Sequence, residues 1–181
     1  LGPSKQHSTA QVCKTRSRQR FTASSWGKII LLGEHAAVYG SHVIAAPVSP
    51  AIEASVVPRE DSVSLMIPRW GVEEAIDVRH ESDNAIRACI KHIITSLDLL
   101  GRPMGIEITP HIPRAMGLGA SAAMAVATIR AMSGYWQIEI DDEAINNLAF
   151  QCEKIAHGTP SGIDNALATF GEFSLFRKDS P

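Results

Sequence analysis

Between Pro113 and Ala123 the chain reads PRAMGLGASAA, a glycine-rich turn running straight into small residues suited to a helix. Gly117 and Gly119 can take positive φ and carry no Cβ, so the backbone there can approach a ligand closely. From Ser121 onward, free backbone N–H groups stand at a helix start, where the partial positive charge suits an anion. The stretch reads either as a phosphate cradle or as a simple turn whose helix is N-capped by Ser121. In both readings a loop joins the strand-like GIEITPHI before it to the helix after it.

Two phosphate signatures can be tested directly. A Walker-type loop needs Lys followed by Ser or Thr after its last glycine, and no Lys stands there. The spacing Gly117-x-Gly119-x-x-Ala122 fits a loose dinucleotide fingerprint, with Asp141 and Asp142 about 20 residues on. Those two aspartates, however, read as the cap of another helix rather than the end of a second strand.

At 181 residues the chain can hold one domain with a real core. Its net charge of −2 supplies no global pull toward nucleic acid or a membrane surface, so any phosphate binding must be local. Cys13, Cys89 and Cys152 are too few and too scattered for a disulfide framework or a zinc site. The last two fall on helical faces and read as buried thiols in a reducing compartment, with the cytoplasm as default location. No apolar run reaches the length of a bilayer span. The chain opens on Leu1 rather than Met, so an upstream start is expected.

Residues 1–21 carry Lys5, Lys14, Arg16, Arg18 and Arg20 without an acidic residue, which reads as a disordered basic tail or a targeting segment. KIILLG from Lys28 is a short buried strand, with Glu34 and His35 just beyond its end. Val43–Val48, then Ile52, Ala54 and Val56, then Val63, Leu65 and Ile67 read as further strands. Ile86, Ile90, Ile93, Leu97 and Leu100 predict an amphipathic helix over 83–100, capped by Ser82 or Asp83. Gly105–Ile112 alternates as a strand, and the helix fed by the glycine loop is expected to run to about Met132, with Gly134 ending it. A further helix from Asp141 or Asp142 reaches about Ala156, Gly158 stopping it, and Phe173–Phe176 is a last strand.

Glu153 lies on the flank of that helix's apolar face, where a carboxylate is costly unless something positive meets it. It is either an exposed flank residue paired with Lys154 or solvent, or a functional acid. HGTPSGIDN, residues 157–165, follows as an irregular loop that ends by presenting Asp164 and Asn165.

Three segments together resemble the mevalonate kinases of the GHMP small-molecule kinase superfamily: SSWGKIILLGEHAAVYG (24–40), IPRAMGLGASAAMAVA (112–127) and FQCEKIAHGTPSGIDNALATFG (150–171). The glycine motif alone, of the form P-x-x-x-G-L-G-S-S-A, would indicate only the superfamily. GEHAAVYG and HGTPSGIDN narrow the resemblance to mevalonate kinases.

The resemblance implies an α+β fold, a ribosomal-protein-S5-like N-terminal domain over residues 22–181, with a C-terminal domain expected to be missing. It implies ATP phosphates wrapped by Gly117, Gly119, Ala120, Ser121 and Ala122, and Mg²⁺ held by Ser121 and by Glu153, which stands eleven residues before Asp164. Asp164 is implied as the catalytic carboxylate, Lys28 as its partner and a contact of the transferring phosphate, and Glu34 and His35 as residues of the substrate end. The implied reaction is transfer of the ATP γ-phosphoryl group to the primary alcohol of mevalonate, giving 5-phosphomevalonate for isoprenoid precursor synthesis. A homodimer at full length fits the same resemblance.

The chain departs from the pattern at three places. Trp26 stands for the proline of A-P-G-K, Ala120 for the first serine of the S-S pair, and the family's C-terminal glycine-rich segment is absent. The acceptor alternatives are phosphomevalonate, galactose or homoserine, and a non-catalytic nucleotide-binding fragment is the competing class. The isolated chain is expected to be inactive.

Overall fold

The computed structural model describes residues 19–33, 42–78, 80, 82, 84–113 and 115–177. Among the described residues six strands and four α-helices follow in the order β1 (Phe21–Leu32), β2 (His42–Pro58), β3 (Val63–Ile67), β4 (Val72–Ile76), α1 (Ala85–Ser96), β5 (Met104–Pro110), α2 (Ala120–Trp136), α3 (Asp142–His157), α4 (Ile163–Phe170) and β6 (Ser174–Arg177). One sheet takes the order β1-β2-β5-β3-β4, with β6 pairing β2. Only the β3–β5 pairing is parallel; the others are antiparallel. This is the expected α+β architecture.

α2 explains why the fold holds together. Its run of small and apolar residues from Ala122 to Ile129 is buried throughout, which lets it lie close against β1 and β2. α3 packs on α2 and α1, while α4 packs on β1, α2 and α3. The main core combines Ile52, Leu65, Ile67, Met104, Ile106 and Ile108 of the sheet with Ile90, Ile93, Ile129 and Met132 of the helices. A smaller cluster of Val43, Ala45, Ile163 and Leu167 seats α4 on the far end of β2.

Several boundaries differ from the sequence expectation for physical reasons. β1 begins at Phe21, upstream of the apolar run at Lys28, because its first half pairs with β2 through alternating small and polar residues. The two strands expected over 43–56 are one long strand, β2. α1 is capped by Asn84, whose side chain accepts from the Ile86 and Arg87 amides. α2 passes through Gly134 to Trp136 and is closed by Gln137 in the left-handed region; Gly134 makes room for the Phe21 ring rather than stopping the helix. β4 and α4 had no counterpart in the sequence reading. Cys89 and Cys152 are buried free thiols as expected, and Cys13 lies outside the described residues.

Candidate active site

The glycine loop is built by alternating backbone handedness. Ala115, Gly117 and Gly119 have φ of 60°, 71° and 69°, with Met116 and Leu118 between them on the ordinary side. Such alternation turns successive N–H groups toward one side and forms a concavity for an anion. Gly119 is the N-cap of α2 and no side chain caps the helix, so the Ser121-capped turn is excluded. Ala120, Ser121 and Ala122 are the first three helical residues, whose amides have no partner within the helix. The helix start that the loop leads into thus has free amides of the kind that can receive an anion.

β1 is pinned against this loop. The Lys28 amide donates to the Leu118 carbonyl at 2.9 Å. A Cβ on Gly27 would stand 2.9 Å from that same carbonyl oxygen, so the approach requires glycine. A Cβ on Gly119 would stand 2.9 Å from Lys28 Cγ and 3.7 Å from Asp164 Oδ2. Trp26 sits where the β1–β2 register shifts, between Ser25 and Gly27, and its indole covers Gly171. The residue that stands for a proline thus joins β1 to the end of α4 without moving Lys28 away from the loop.

Lys28 Nζ lies 3.0 Å from Asp164 Oδ1, and both side chains keep partial access, 13% and 27% exposed. Asp164 rides on the first turn of α4, which Gly162 starts with φ of 89°. The turn is tied to α3 by the buried Asn165, whose Nδ2 donates to Asn146 Oδ1 at 2.6 Å. This tie sets the spacing between Asp164 on α4 and Glu153 on α3.

Glu153 is 3% exposed, which decides against the exposed-flank reading. Burial pushes its carboxyl above the usual carboxylate range, and nearby Asp164 adds to that. A hydrogen bond from Ser121 and the proximity of His157 and Lys28 act in the opposite direction. His157 Nε2 lies 3.1 Å from Ser121 Oγ and 4.0 Å from Glu153 Oε2. His157 was missed by the sequence reading, although it opens the quoted HGTPSGIDN segment.

Ser121, Glu153, His157, Asp164 and the loop from Ala115 to Ala120 all line one cavity of about 380 Å³, with Trp70, Ile86, Cys89 and Met124 on its apolar wall. Lys28 reaches it through its bond to Asp164. Ala122 stands on the same helix turn, but it is fully buried and does not line the cavity. Glu34 and His35 lie outside the described residues.

The donors present suit Mg²⁺. A buried carboxylate and a hydroxyl converge on the cavity, and both are hard oxygen ligands. Among the described residues no group of three or more His, Cys, Asp or Glu is placed to hold a metal. Mg²⁺ binds through one or two protein oxygens, keeping waters and substrate phosphates as its other ligands, so a two-ligand site is no obstacle.

The domain is α+β, with a glycine loop and a helix start suited to an anion set beside a lysine–aspartate pair and a buried carboxylate. Residues 84–172 match the family described as GHMP kinases N terminal domain, and the chain carries the N-terminal domain of that family. It is 37% identical over 154 residues to a mevalonate kinase of Archaeoglobus fulgidus, covering 85% of this chain and 52% of that protein. It is 33% identical over 174 residues to a mevalonate kinase of Thermococcus gammatolerans, covering 88% of this chain and 52% of the relative. Among solved structures, L. major mevalonate kinase in complex with R-mevalonate superposes with a TM-score of 0.71 at 30% identity, over 92% of this chain and 51% of that one. The chain spans about half the length of the curated relatives it matches.

Proposed function

We propose that this domain supplies the nucleotide side and the catalytic carboxylate of a mevalonate kinase, which transfers the γ-phosphoryl group of ATP to the primary alcohol of mevalonate. The observation that carries the reading is the Lys28–Asp164 pair, held 3.0 Å apart beside the last glycine of an anion-binding loop. The names of the relatives at 33% and 37% identity support mevalonate as acceptor over phosphomevalonate, galactose or homoserine. In this reading the ATP-binding domain begins with β1 at Phe21, one residue before the boundary expected from sequence, the residues before it form a basic tail, and Glu34 and His35 contact the acceptor.

Phosphoryl transfer passes through a loose transition state, so alignment and charge neutralisation are the protein's main tasks. The amides of Gly119, Ala120, Ser121 and Ala122 bind the ATP phosphates, with Gly117 shaping the loop. Lys28 offsets charge on the transferring group and holds Asp164 in place. A carboxylate is a far weaker base than an alkoxide. Asp164 therefore orients the hydroxyl and accepts its proton only as the bond to phosphorus forms. Ser121 and Glu153 would hold Mg²⁺, which when bound supplies further neutralisation of phosphate charge.

Asp164→Asn is the direct test. It is expected to leave ATP binding within a factor of a few while lowering turnover about 100-fold or more. Turnover retained in the variant would rule out the proton-accepting role.

A further inference from the structure

Resting on the assignment of Ser121 and Glu153 to Mg²⁺, we propose that His157 is a positioning residue for Ser121: its Nε2 accepts the hydroxyl proton and leaves the serine oxygen free to face a cation beside Glu153. The argument begins with the hydroxyl itself, which has one proton to donate and two lone pairs. The Ser121 hydroxyl is within reach of two acceptors, the Glu153 carboxylate and His157 Nε2. When its proton goes to Glu153, it occupies a carboxylate lone pair and lies between the two oxygens that a cation would have to bridge. When a cation engages both oxygens, the proton needs a second acceptor, and His157 Nε2 is already in place at 3.1 Å.

The sequence spacing makes this possible. His157 is the last residue of α3 and lies four residues after Glu153, so both side chains leave the same face of the helix. Glu153 is buried while the His157 side chain remains 56% exposed, which places the imidazole at the rim and the carboxylate at the floor of one cavity. Groups behind a metal ligand commonly fix its orientation and raise its basicity, and their loss typically costs about 10–100-fold in metal affinity.

The test measures binding of a non-hydrolysable ATP analogue by calorimetry across a Mg²⁺ titration, with melting temperatures taken alongside. His157→Leu is expected to raise the Mg²⁺ requirement roughly 10–100-fold while leaving metal-free analogue binding and the melting temperature unchanged. His157→Gln, whose amide oxygen can accept the same proton, is expected to recover most of the loss. In a Ser121→Ala background, His157→Leu is expected to add nothing, because the group it positions is gone. His157→Ala replaces the leucine variant if leucine disturbs the fold. An unchanged Mg²⁺ requirement in His157→Leu, or the same extra loss in the Ser121→Ala background, overturns the role of His157. If Ser121→Ala and Glu153→Gln themselves leave the Mg²⁺ requirement untouched, the metal assignment falls and this proposal falls with it.

Discussion

Glu153 is set against the stability of its own fold. Its carboxyl is raised above the ordinary value of 4.5, chiefly by burial. An acid whose folded pKa exceeds its unfolded one is protonated in both states at low pH. It then costs stability as pH rises from 4.5 through the raised value, and that cost persists above it. In chelator and without nucleotide, Glu153→Gln is therefore expected to melt above the parent protein at neutral pH. A gain of roughly 0.5–2 kcal/mol is expected, shrinking toward zero as pH falls to the unfolded value. Thermal melts of both proteins across that pH range check this, and the same variant is expected to lose Mg²⁺-dependent nucleotide binding. The helical pattern alone left Glu153 between a solvated flank and a functional acid. What decided its burial was packing against α1 and α2, which periodicity does not encode. His157 was less legible still, since a histidine at a helix end shows its use only once Ser121 lies across from it.

At the scale of elements, the loop and the strand beneath it act as one unit. A methyl group at position 27 would have to displace the Leu118 carbonyl, 2.9 Å away, and Ala51 Cβ, 3.1 Å away. Gly27→Ala is expected to cost about 1–3 kcal/mol and to weaken ATP binding, because the loop must shift to admit it. Gly119→Ala is expected to cost about 1–2 kcal/mol through its left-handed backbone alone. Its contact with Lys28 would in addition disturb the pair with Asp164. Denaturant unfolding and nucleotide titration of the two variants separate these effects. The glycine loop, α2 and α3 could be read from sequence because glycines, small residues and apolar spacing mark them locally. α4 could not, because Gly158, Pro160 and Gly162 read as an irregular loop and hid the Ile163–Leu167 spacing behind them. β4 was hidden by Glu73 and Glu74, whose side chains interrupt the apolar pattern of a strand only five residues long.

In the molecule as a whole, residues far apart in sequence meet at one cavity, Ser121 from α2, Glu153 and His157 from α3 and Asp164 from α4, with Lys28 of β1 paired to Asp164. The sheet order brings β1 beside β2, and α2 lying across both carries the loop to Lys28. No helix among the described residues is long and apolar enough to cross a membrane. The chain spans about half the length of the mevalonate kinases it matches, so the reaction belongs to a test on the protein that carries this domain at full length. Phosphorus NMR of that protein with ATP, Mg²⁺ and mevalonate follows the transferred group directly. The account predicts loss of the γ-phosphate signal with matching growth of a phosphomonoester on mevalonate, dependent on Mg²⁺ and slowed about 100-fold or more in Asp164→Asn. ATP consumed only when galactose, homoserine or phosphomevalonate replaces mevalonate, or phosphomonoester still formed at the parent rate by Asp164→Asn, would contradict it.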